Sequence, residues 1–170
     1  SVGACSKRGM SENSALVKGV NRAWDAGLVV VVAAGNNGPR TMSITTPGIS
    51  RKVITVGCSD DDREVLVGGN RMVDYSGRGP TAACICKPDL VAPGCSVVSC
   101  SSRADKYTIK SGTSMSTPIV SGAVALLLER FPDMTNKDVK LRLRESSVDI
   151  GLPRNQQGWG LLDVGKMIGK

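Results

Sequence analysis

Leu28-Val29-Val30-Val31-Val32-Ala33-Ala34 runs directly into Gly35-Asn36-Asn37-Gly38-Pro39. Seven apolar residues without polar alternation predict a strand covered on both faces, the central strand of a parallel sheet. The stretch rich in Gly, Asn and Pro that stops it is a turn. Upstream, Ser11 to Ala26 predicts an amphipathic helix with Leu16, Val20, Ala23 and Trp24 on one face and Gly27 as its stop. Downstream, Val53 to Val56 predicts a second buried strand. Glu64 to Val67 and Arg71 to Val73, joined through Gly68-Gly69-Asn70, predict a hairpin. Asp89 to Ala92, Ser96 to Ser99 and Tyr107 to Lys110 read as further short strands. A strongly apolar, buried helix opens at Gly112-Thr113-Ser114 and runs to Arg130. Thr135 and Asp138 form a capping-box pattern before a helix to Glu145, and Asp163 caps a last short helix. Strands separated by long crossovers imply an α/β fold with a mainly parallel sheet, and residues 1–170 read as one domain or part of one.

Composition excludes several functions. The chain has 170 residues, 41% hydrophobic and 22% charged, and no apolar run near the roughly 20 residues that span a bilayer. The net charge is +7, but the basic residues are scattered, and two Trp, two Tyr and one Phe are too few for a base-stacking platform. Neither nucleic acid nor a membrane is an expected partner. Cys5, Cys58, Cys84, Cys86, Cys95 and Cys100 read as free, mostly buried thiols, which favours a reducing, cytoplasmic compartment. A zinc site built from Cys84, Cys86, Cys95 and Cys100 is the alternative, although its spacing is a weak zinc signature. Asp60-Asp61-Asp62 reads as a solvated loop, with calcium as the alternative. The chain contains no histidine, so chemistry that needs an imidazole cannot be completed by these residues alone.

Two segments carry chemistry. In Gly112-Thr113-Ser114-Met115-Ser116-Thr117-Pro118, a glycine turn places Ser114 at a helix N-terminus, where free N–H groups and partial positive charge favour attack on an acyl carbon. The bland alternative is that Thr113 or Ser114 is only a helix cap. Asn36, at the carboxyl end of the apolar strand, lies where ligands of open α/β sheets gather and can donate to an oxyanion. Its bland alternative is a left-handed turn residue.

Taken together, these segments resemble subtilisin-like serine proteases. Gly112 to Pro118 resembles the family's nucleophile motif, and Val31 to Gly38 resembles its oxyanion-asparagine segment. Pro47-Gly48, Val53 to Gly57, Tyr75 to Pro80 and Lys87 to Gly94 fall between them in the family's order, and Gly158 to Asp163 resembles its closing segment. Arg78-Gly79-Pro80-Thr81 and Lys87-Pro88-Asp89 are most similar to the bacterial branch that includes the AprX-like enzymes. The resemblance implies a subtilisin-like three-layer fold, incomplete in this chain, and a serine endopeptidase acting through an acyl-enzyme on Ser114. It implies that Asn36 and the backbone N–H of Ser114 bind the oxyanion. It also implies that Ser1, Val2 and Gly3 pair with an extended substrate. Ala33, Ala34 and Gly35 would wall the pocket for the residue before the scissile bond, with Thr45 or Thr46 near its base and Thr46–Pro47 a candidate cis bond. No cofactor is implied, and calcium is implied only as a structural ion.

The sequence also departs from the pattern. The family's Asp and His motifs, which precede the nucleophile in chain order, are absent. The chain is therefore expected to be the C-terminal portion of a catalytic domain. Its partners would be the N-terminal portion of that domain and a peptide or protein substrate, and it would be inactive alone. The alternative is a catalytically dead, peptide-binding relative. Unpaired strand edges predict exposed apolar surface and oligomerisation, and secretion is the alternative to a cytoplasmic location.

Overall fold

A computed structural model describes residues 13–102 and 106–169. Its centre is a three-stranded parallel sheet in the order β1 (Val31–Ala33), β2 (Ile54–Cys58), β5 (Leu90–Ala92). Val32 pairs with Thr55, and Gly57 pairs with Val91. The closing segment continues the sheet: Val91 N–H donates to Gly160, and Leu162 N–H donates back to Val91. Two antiparallel ribbons flank it, β3 (Val65–Val67) with β4 (Asn70–Met72), and β6 (Val97–Cys100) with β7 (Tyr107–Lys110). The α/β class and the parallel sense match the expectation from sequence.

One helix layer covers the sheet. Helix α2 (Thr113–Arg130) buries Thr113, Ser116, Thr117, Val120, Ala123, Val124 and Leu127, a stripe at helical spacing. The expected apolar helix to Arg130 is present and buried on this stripe, while Leu126 on its outer side is 50% exposed. Helix α3 (Asn136–Ser146) opens with the expected capping box, in which Thr135 and Asp138 satisfy each other's backbone N–H groups. The short α4 (Arg154–Gln157) precedes the closing segment, and α5 (Val164–Ile168) is capped by Asp163 as expected. Trp24, Ile54, Val56, Leu90, Leu127, Leu143 and Met167 meet in the main core.

Several local expectations are corrected. The seven-residue apolar strand is only three residues long in the ladder. Among the described residues β1 ends the sheet order, so Leu28 is 58% exposed where a central strand would bury it. Helix α1 (Ala15–Asp25) starts from a Ser14 cap and turns Val17 and Trp24 inward, leaving Leu16 partly exposed. The cysteines are not mostly buried: Cys58 is, while Cys84, Cys86 and Cys100 are exposed. Cys84 takes a left-handed backbone conformation at φ 57°, and neither it nor Cys86 lies in a strand. Among the described residues, no three His, Cys, Asp or Glu side chains converge as a metal-holding group, and no helix is long and apolar enough to cross a membrane.

An ion cluster ties α3 to the sheet. Lys87, 1% exposed, pairs with Asp89 at 2.5 Å, and Lys140 lies 3.4 Å from the other carboxylate oxygen. Asp89 also accepts from Thr55 N–H, and Lys87 Nζ also donates to the Val53 carbonyl. Burial lowers the Lys87 pKa to about 8 against the opposing pull of Asp89.

Candidate active site

The turn before α2 brings the two chemical segments together. Gly112, at φ 136°, occupies a backbone region that side chains rarely adopt, and a Cβ there would lie 3.2 Å from Asn36 Nδ2. Gly112 is also the helix N-cap, with no side-chain capping bond, so neither Thr113 nor Ser114 serves as the cap. Ser114 is the second residue of α2 and is partly exposed. The first turn of α2 carries no acidic residue, so its N-terminal positive potential is not offset by a carboxylate of its own.

Asn36 is held by Thr113, 77 residues away, through two bonds to one oxygen. Thr113 N–H and Thr113 Oγ1 each donate to Asn36 Oδ1 at 3.0 Å. Gly35 N–H donates to Thr113 Oγ1 at 3.1 Å, which closes the clamp. With its oxygen committed, the carboxamide turns its NH2 toward the Gly112 side. Asn36 is not a left-handed residue; Gly35, at φ 94°, takes that conformation instead. The sequence singled out Thr113 only as a possible helix cap, not as a partner of Asn36. Its only signal there is its place between a turn glycine and Ser114.

The remaining predicted residues divide into two groups. Ala33 ends β1, and Ala34 accepts from Thr45 N–H at 2.8 Å. The Thr45 side chain packs directly behind Gly35, and Thr46 is buried beside it. The Thr46–Pro47 bond is cis. Thus Thr45 packs against Ala34 and Gly35, the two residues that lead into Asn36. Ser1, Val2 and Gly3 lie outside the described residues.

The acidic loop is solvated only in part: Asp62 is exposed, as expected, but Asp60 and Asp61 turn to the backbone. Asp60 Oδ1 accepts from Gly94 N–H, Cys95 N–H and the Cys58 thiol, and buried Asp61 accepts from Ser76 N–H. Burial, the largest influence, raises the Asp61 pKa. These oxygens serve the backbone, so the loop does not fit a calcium cage, which needs six to eight converging oxygens.

A sequence profile of the subtilase family matches residues 1–160. The serine protease AprX of Bacillus subtilis (strain 168) is 43% identical over 78% of this chain, which covers 33% of that protein. Subtilisin DY of Bacillus licheniformis is 34% identical over 92% of the chain, which covers 52% of that protein. The chain thus spans between a third and about half of these relatives' length. Among solved structures, the prenylagaramide maturation protease PagA shares the fold at a TM-score of 0.74. That match has 23% identity and covers 98% of this chain and 58% of that one. With a profile match across most of its length and relatives above 30% identity, the chain belongs to the subtilase family.

Proposed function

We propose that the chain is the nucleophile-bearing portion of a subtilisin-like serine endopeptidase. One observation carries this reading: the Thr113 clamp on Asn36 Oδ1 turns the carboxamide NH2 toward the turn that presents Ser114. Ser114 Oγ attacks the scissile carbonyl carbon. Its proton passes to a histidine supplied from outside these 170 residues, which contain none. Asn36 Nδ2–H and the Ser114 backbone N–H stabilise the oxyanion. The C–N bond then breaks, the amine leaves with the proton, and water hydrolyses the acyl-enzyme. The triad Asp also comes from outside the chain, so these residues alone are inactive.

The substrate is a peptide or protein, as the family's chemistry requires. Neither Thr45 nor Thr46 is charged, so the wall beside Gly35 gives no basis for preferring a basic side chain. The mechanism uses no cofactor. The N-terminal portion of the same domain is the proposed partner for the exposed edge at Leu28. Secretion gains support from the relative described as the halolysin-like extracellular serine protease Nep of Natrialba magadii, whereas the cytoplasmic alternative gains none from the relatives' names.

A fluorophosphonate probe tests the reading on the full-length protein. It labels Ser114 and leaves Ser114→Ala unlabelled. A folded, full-length protein that resists labelling would instead be the catalytically dead peptide binder. Asn36→Ala lowers kcat by roughly 10²- to 10³-fold, a magnitude taken from the equivalent donor of a subtilisin.

A further inference from the structure

Tyr75 is fully buried and reaches both halves of the site. Its backbone carbonyl accepts from Gly38 N–H at 2.9 Å, two residues past Asn36. Two residues after Tyr75, Gly77 N–H donates to the Gly35 carbonyl at 2.8 Å. The Tyr75 backbone is therefore stitched to the Asn36 turn. Its side chain points the other way, and the hydroxyl donates to the Gly94 carbonyl at 3.2 Å. That same carbonyl accepts Gly112 N–H at 2.9 Å, two residues before Ser114.

The far end of this connection is anchored as well. Asp60 Oδ1 accepts from Gly94 N–H at 2.8 Å and Cys95 N–H at 3.1 Å. The Cys58 thiol donates to the same oxygen at 3.1 Å and lies 3.2 Å from Tyr75 Oη. Burial pushes the Cys58 thiol up to about 12, so it stays protonated across the neutral range and remains a donor to Asp60. Gly94 leaves no space for a side chain, since a Cβ there would lie 2.9 Å from Cys58 Sγ and 3.0 Å from the Gly112 carbonyl.

We infer that Tyr75 is a positioning residue: its carbonyl and its hydroxyl together set the separation between the Asn36 turn and the Gly112–Ser114 turn. The inference rests on the proposed roles of Asn36 and Ser114. An oxyanion donor works only at hydrogen-bond distance from the developing charge, so a small shift between these turns weakens the transition state more than it weakens substrate binding.

The test is Tyr75→Phe in the full-length protein, which keeps the ring in its buried cluster with Cys58 and Val67 and removes only the hydroxyl. Active sites are titrated with a fluorophosphonate, and kcat and KM are measured per titrated site on a peptide amide. Backbone exchange at Gly112 is followed in parallel. The expected result is a fall in kcat of roughly five- to tenfold per site, the scale of one hydrogen bond, with KM changed less than about twofold. Gly112 N–H exchanges faster, and Tyr107→Phe, an exposed control, changes neither quantity. Fewer titratable sites with an unchanged kcat per site would mean ordinary packing and overturn the inference. So would unchanged exchange at Gly112. Should the wild-type protein resist labelling, the reading of Ser114 fails separately, and the Gly112 exchange alone decides the role of Tyr75.

Discussion

Ile54, Val56, Leu90 and Leu127, where α2 lies on the parallel sheet, have no exposed surface, whereas Val98, Tyr107 and Ile109 on the β6–β7 ribbon are 62%, 76% and 65% exposed. Both regions draw on β-branched residues, and both form the strands their composition favours. Val98 pairs with Ile109, and Cys100 with Tyr107, so these four side chains share one face of the ribbon. The difference is the second layer. Helix α2 removes the sheet from water, and nothing among the described residues does the same for the ribbon's outer face. An apolar pattern therefore specifies a strand but does not bury it.

Four perturbations test this contrast. The largest effect is expected from Leu127→Ala, which opens a cavity between α2 and the sheet and costs about 4 kcal/mol in urea unfolding of the full-length protein. Lys87→Met follows at about 3 kcal/mol, because it leaves Asp89 buried with only part of its charge compensation. The same variant removes a pH dependence. Folded Lys87 has a pKa near 8, against an ordinary lysine value of 10.5. Between those values the unfolded chain holds a proton that the folded chain releases, so this group makes stability rise with pH across that window. Lys87→Met should lose that rise, and pH-dependent thermal melts of the two proteins measure it.

Ser116→Ala has a smaller effect of opposite sign. Ser116 Oγ is fully buried in α2 without a hydrogen-bond partner, so its removal stabilises the protein by about 1 kcal/mol in the same urea titration. The smallest stability change comes from Val98→Thr with Ile109→Thr, under about 0.5 kcal/mol, because both side chains already face water. That pair should instead reduce self-association of the 170-residue chain in size-exclusion chromatography. A large stability loss on this ribbon would mean that its outer face is already covered, and the contrast would fail.

Local features were legible from sequence where their cause spans a few residues. Thr135 and Asp138 predicted a capping box, and Asp163 predicted a cap, because each bond joins residues three apart. The β3–β4 hairpin was legible from its Gly68-Gly69-Asn70 turn. The buried face of α1 was legible only in part: Trp24 is buried as expected, but Val17 rather than Leu16 meets the core, because the direction of the core is not a local property. The acidic loop misled for the same reason. Asp60 and Asp61 look solvated beside Asp62 until the backbone N–H groups of Gly94, Cys95 and Ser76 arrive from elsewhere in the chain.

The candidate site divides along the same line. Ser114 at a helix start and Asn36 after an apolar run are readable from residue types and order, and so is the missing histidine, because composition is complete in one dimension. The Thr113 clamp, the packing of Thr45 behind Gly35 and the span of Tyr75 from Gly38 to Gly94 are not readable. Each depends on which residues the β1–β2–β5 register and the α2 crossover bring within about 3 Å, a hydrogen bond's length. Local chemistry determined which groups could react, and tertiary register decided which of them face one another.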